Sequence, residues 1–119
     1  MSIISIILVI LSALECFYIM YLETVITTSE KTSLTFGVER DELGRETVSS
    51  LLKNQGVYNG FIGLILLYAI TFANAKVEIS AIMLIYIVAM ALYGGYTVDK
   101  KIVIKQGLLP FIALISLLF

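Results

Sequence analysis

Glu15 lies inside a long apolar run, Ile3–Leu22, whose other small polar side chains are Ser5 and Ser12. A carboxyl group in such a place can hold a proton, anchor a ligand, or donate a hydrogen bond to a neighbouring helix. Glu23 closes the same run. The octet Asn54–Phe61, NQGVYNGF, is the next concentration of polar chemistry. Asn54, Gln55 and Asn59 offer donors and acceptors together, and Tyr58 adds a phenol, a set that suits a polar head group or an ordered water. Its two glycines permit close helix approach. Tyr93 and Thr97, in YGGYT, and Gln106 complete the polar set.

Each of these has a plainer reading. Glu15 can be a protonated acid bonded to an Asn, Gln or Tyr for helix packing. Glu23, at the edge of its run, can be solvated or paired with Lys53 or Lys105. The amides can be interhelical glue, and Tyr18, Tyr86, Tyr93 and Tyr96 can be interfacial anchors. Other chemistries lack residues. The chain has no His, and Cys16 is its one cysteine, so neither a zinc nor a haem site is expected, and no cofactor. Glu15 and Glu23 with amide help are a weak signal for a hard cation. There is no Gly-rich phosphate loop and no Ser–His pairing. A net charge of −1 gives no basic field for nucleic acid.

The elements that must position these residues follow from composition. Hydrophobic residues make up 60% of the 119 and charged ones 14%, against about 45–50% and about 25% in globular domains. A domain of this size has too much surface to hide that apolar fraction in water. Lipid is the expected solvent. Four segments are long enough to span a bilayer, at about 20 residues each: 3–22, 55–73, 77–96 and 102–119. The first has no charge ahead of Ser12 and no small-residue cleavage site, so it reads as part of the mature chain and not as a signal peptide. The expected fold is an all-α membrane protein, one domain over 1–119, an antiparallel bundle of four transmembrane helices. A polar loop, 24–54, joins the first two spans. Within its second half, Leu43, Thr47 and Leu51 recur at helical spacing, which predicts a short amphipathic helix on the membrane surface.

Lysine and arginine orient the spans. Seven of the eight basic residues fall in 24–54 and near 98–105, and only Lys76 falls on the other side. Loops this short follow the positive-inside bias, which makes both charged loops cytoplasmic and both termini extracellular. The unusual polar residues then converge in the cytoplasmic half. Glu15 lies roughly 10 Å inside the Leu22 boundary. At about 100° per residue, Ser5, Ser12, Glu15 and Glu23 fall within roughly 80° of one another, one stripe expected to face the bundle.

The run ALECFYIMYLE (Ala13–Glu23), then NQGVYNGF, then YGGYT (Tyr93–Thr97) and Gln106 resemble a bacterial four-span family catalogued as domain of unknown function 1304. The likeness covers nearly the whole chain. It implies a protein of the bacterial cytoplasmic membrane and no established activity. Its motif residues are Glu15, Tyr18, Glu23, Asn54, Gln55, Tyr58, Asn59, Gly94 and Thr97. A second likeness, to small multidrug transporters, rests on four spans and a Glu midway along the first. Those transporters place a Trp in the pocket, and this chain has none.

The functional expectation is a polar, cytoplasm-facing pocket within the membrane. Glu15, Tyr18, Glu23, Asn54, Gln55, Tyr58, Asn59, Tyr93, Thr97 and Gln106 are its candidate residues. It would bind a lipid head group or a small amphipathic molecule, with transport as an extension. The alternatives are a proton-coupled transporter using Glu15 and a membrane-embedded acid–base enzyme, the non-enzymatic reading being favoured. Membrane lipid and an unidentified amphipathic ligand are the expected partners, and an oligomer is compatible with the sequence.

Overall fold

The computed structural model describes residues 1–119 and is entirely helical. Helix α1, Ile3–Met20, starts at Ser2, whose side chain accepts from the Ser5 N–H, and runs on through a π-helical turn at Tyr21–Val25. Two short helices follow, α2 at Glu30–Phe36 and α3 at Arg40–Leu43. The long helices α4, Glu46–Thr71, and α5, Lys76–Thr97, are joined by a tight turn. A second π-helical turn, Val103–Gly107, leads into α6, Leu108–Ser116.

The main packing partners of α1 are α4 and α6, and α5 also packs on α4 and α6. Neighbours run antiparallel. A Cβ on Gly63 would meet Ala13 O at 3.0 Å, and one on Gly56 would meet Met20 O at 3.2 Å. The α4 glycines thus bring its backbone close to that of α1. At one end of the molecule Ser5 Oγ donates to Ser116 O at 2.9 Å, so the two chain termini lie together. At the other end Lys105 Nζ donates to Leu34 O at 3.3 Å and Thr35 O at 3.5 Å. The apolar core, built from Val9, Ala13, Cys16, Ile62, Leu66, Leu84 and Ala113, fills the end near the termini. Two helices, Ile3–Val25 and Lys76–Thr97, are long and apolar enough to cross a membrane.

Three expected boundaries are corrected. The amphipathic helix expected in the second half of the polar loop is not one element. The helix is interrupted at Gly44 and Arg45, leaving the single turn α3, and the rest of the pattern joins α4, which starts at Glu46 and not at 55. No proline or glycine interrupts 46–55, and Glu46, Leu51, Leu52, Lys53 and Gln55 are good helix formers, so the helix continues. The loop's first half, which shows no helical pattern of apolar residues, contains α2. Ser29 caps it by accepting from the Thr32 N–H at 3.1 Å. Gly37, at φ 68°, ends it in the left-handed conformation that favours glycine. The last segment, 102–119, is not one regular helix. Pro110, the chain's one proline, has no N–H for the Gln106 carbonyl, and the ladder widens into the π turn just before it.

Candidate functional site

Where the core stops, a cavity of about 420 Å³ begins. It occupies the end of the molecule away from the termini. From α1 it takes Ser12, Glu15, Cys16 and Ile19, and from the π turn Glu23. From α4 come Leu52, Gln55, Tyr58, Asn59 and Ile62, and from α5 Tyr86, Ile87, Met90, Tyr93 and Gly94. Val98, Ile102, Gln106 and Pro110 line it from the C-terminal segment, and Phe36 and Val38 from the turn after α2.

Helical periodicity explains the α1 wall. Ser12, Cys16, Ile19 and Glu23 recur at three- and four-residue steps and are all buried. Gly56 and Gly60 hold the opposite wall close, since side chains there would strike Thr24 and Met20. The walls differ in exposure. Tyr58 is 68% exposed and Tyr93 65%, although both line the cavity. The cavity therefore opens sideways between α4 and α5 and is closed on the α1 side. At its polar end, the turn after α2 brings in Phe36 and Val38. Thr32, in the first turn of α2, ties that helix to the end of α1 by donating to Leu22 O at 2.8 Å and standing 2.9 Å from Ile26 O, which also accepts from the Ser29 N–H.

Two carboxyl groups face this space in different states. Asn59 Nδ2 donates to Glu23 Oε1 at 2.7 Å. Both carboxyl oxygens of Glu15 are buried and have no hydrogen-bond partner. Glu23 does not follow its plainer reading, a boundary acid that is solvated or paired with Lys53 or Lys105; it is 3% exposed and bonded to an amide. The reason is that α4 extends past the end of α1, and Thr27, Thr32 and Phe36 fold over that end. Lys105 is turned away, onto the last carbonyls of α2. The Asn, Gln or Tyr partner that the packing reading gave Glu15 is absent, and Asn59 serves Glu23.

Of the ten residues expected from sequence, Glu15, Glu23, Gln55, Tyr58, Asn59, Tyr93 and Gln106 border the one cavity. Three do not. Tyr18 lies on the outer face of α1, with Lys31 Nζ 5.8 Å from its ring centre. Asn54 is exposed, one residue off the lining face of α4. Thr97 is exposed and donates to Tyr93 O at 2.9 Å. Sequence reasoning overlooked Phe36, Met90 and Pro110. For Phe36 a signal existed, as the one aromatic residue in the polar 24–54 segment. Pro110 could have been flagged as the break that turns Gln106 inward.

Residues 10–118 match the family described as "Protein of unknown function (DUF1304)". The chain belongs to the DUF1304 family. It is 55% identical over 119 residues, the full length of both chains, to "Uncharacterized protein YpaA" of Lactococcus lactis subsp. lactis (strain IL1403). No solved structure matches it. The matched DUF1304 region takes in every residue that lines the cavity.

Proposed function

We propose that the chain is an integral protein of a bacterial cytoplasmic membrane, a four-span antiparallel bundle that binds a small amphipathic molecule or lipid head group in its cavity. Several features support immersion in lipid. Large apolar side chains are exposed along all four long segments, among them Ile7, Leu14, Leu64, Ile85, Leu92 and Phe111. Such a surface is costly in water. Helix α4, about 39 Å long at ~1.5 Å per residue, has room for an apolar span beyond its polar first turns. The basic residues gather at the cavity end, leaving Lys76 at the other, which favours a cavity facing the cytoplasm and termini facing outward.

The observation that carries the binding reading is Glu15. Its carboxyl group is buried without a partner and borders an open-sided space. An unpartnered buried polar group costs about 1–3 kcal/mol, and a ligand or bound water can remove that cost. A volume of about 420 Å³ falls within the common range for small-molecule sites, about 300–1,000 Å³. The same carboxyl supports a second reading, proton-coupled transport through Glu15.

The chain has no tryptophan, so Met90→Trp puts a single fluorophore on the cavity wall and Leu118→Trp puts one on the outer surface. With the purified protein in phosphatidylcholine nanodiscs, an amphiphile series differing in head-group charge is titrated against each. A saturable change at position 90, absent at position 118, is expected for at least one amphiphile. Unsaturable changes of equal size at both positions overturn the pocket.

A further inference from the structure

We infer that the pocket selects an organic cation with an apolar body, an inference that rests on the pocket reading above and assigns its ligand class. The charged side chains bordering the cavity are both acids, Glu15 and Glu23. Glu15 lies on α1 and Glu23 on the π turn that continues it, eight residues on, or roughly 12 Å along the axis at ~1.5 Å per residue. Neither is neutralised by a base: the one ion pair in the molecule joins Arg45 and Glu42. Glu23 gives one oxygen to Asn59, and Glu15 gives none to any partner.

No lysine or arginine lines the cavity, and three of the basic residues at its end of the molecule are engaged elsewhere. Lys105 is held on the α2 carbonyls, Arg40 Nε donates to Thr28 O at 2.9 Å, and Lys31 stands over Tyr18 on the outer face. An anion entering the cavity would meet two acids and no base. A cation would meet a free carboxyl group at low local dielectric, where pairing is strongest. The entrance adds to this preference. Tyr58, Tyr86 and Tyr93 flank the lateral opening, and tyrosine faces attract cations within about 6 Å of the ring centre. The remaining wall is apolar and accommodates a hydrophobic body. The opening between α4 and α5 faces the expected acyl-chain region, so such a molecule enters from the bilayer.

Tetraphenylphosphonium and tetraphenylborate have the same shape and opposite charge. Each is titrated into nanodiscs carrying the Met90→Trp chain, with Leu118→Trp correcting for partition into lipid. Saturable binding of the phosphonium alone is expected. Glu15→Gln lowers its affinity by about tenfold or more, and Glu78→Gln, at the opposite end, leaves it within about twofold. Equal saturable binding of both ions, or of the borate alone, overturns the cation assignment and leaves the pocket standing. Absence of saturable binding by either ion overturns the cation assignment, and the amphiphile series then judges the pocket separately. Should Glu15→Gln lose its helical circular dichroism, the comparison of the two ions on the unaltered acids still decides.

Discussion

At the scale of single residues, the two acids of the first helical segment, Glu15 on α1 and Glu23 in its π turn, make opposite contributions to stability. Glu15 has no hydrogen bond to lose, whereas Asn59 supplies the donor to the buried Glu23. Glu15→Leu is therefore expected to raise the thermal midpoint in detergent, by removing an unsatisfied buried group worth about 1–3 kcal/mol. Asn59→Ala is expected to lower it by a similar amount, because it strands Glu23. In a double-mutant cycle, Glu23→Gln with Asn59→Ala couples by about 0.5–3 kcal/mol, while Glu15→Gln with Asn59→Ala adds within about 0.5. A fall in midpoint for Glu15→Leu as large as that for Asn59→Ala contradicts this account. Residue type and helical phase were enough to pick out Glu15, Glu23 and Asn59 and to turn the first two toward the interior. Pairing was not legible. Which acid Asn59 meets depends on the offset between α1 and α4, and no single-helix periodicity encodes that offset.

At the scale of elements, the α1–α4 contact is set by glycines whose neighbours differ in how far they can yield. An added methyl at Gly63 would lie 3.0 Å from Ala13 O, a backbone atom, and 2.9 Å from the Phe17 ring. At Gly60 it would strike Met20 Sδ, near the end of a flexible side chain. Gly63→Ala is expected to destabilise by about 1–3 kcal/mol, the usual cost of overpacking. Gly60→Ala is expected to cost less, since Met20 can change rotamer. Gly44→Ala, whose new methyl would have only its own turn 3.6 Å away, should stay within about 0.5 kcal/mol. Denaturant titrations of the three variants in one detergent give the order, and equal effects at Gly63 and Gly44 would refute the close approach. The long helices were legible because uninterrupted apolar runs of this length have few alternatives. Their ends were not. The Leu43, Thr47 and Leu51 pattern crosses a helix interruption at Gly44 and Arg45, and a period of four cannot tell one helix from two pieces in phase. The π turn before Pro110 was readable in principle, from a proline four residues after a polar side chain that lines the cavity.

At the scale of the whole molecule, the distribution of charge and the packing of the helices bear on the same polarity. Ser5 and Ser116 hold the two termini together at one end, and the Lys105 contacts with α2 tie the polar segments together at the other. The molecule thus has two unlike ends along a 45 Å axis, comparable to a bilayer of about 40–45 Å with its head groups. Which end faces the cytoplasm is a matter of bias: seven basic residues against Lys76. Lys76 also lies on the last carbonyls of α4, donating to Ile70 O at 3.3 Å, so part of its charge is spent on capping a helix. The expected orientation therefore puts Ser2 outside and Lys100 inside. In a Cys16→Ala background, chosen because Cys16 is the one native thiol, Ser2→Cys should react with a membrane-impermeant maleimide on intact cells. Lys100→Cys should react only after lysis. The reverse pattern would turn the cavity to the outer face, and labelling of both on intact cells would leave no single membrane orientation for the chain. The cavity depends on this outcome for its meaning. Facing inward, its polar end meets cytoplasmic solutes while its α4–α5 opening meets lipid, an arrangement suited to a molecule that partitions between the two.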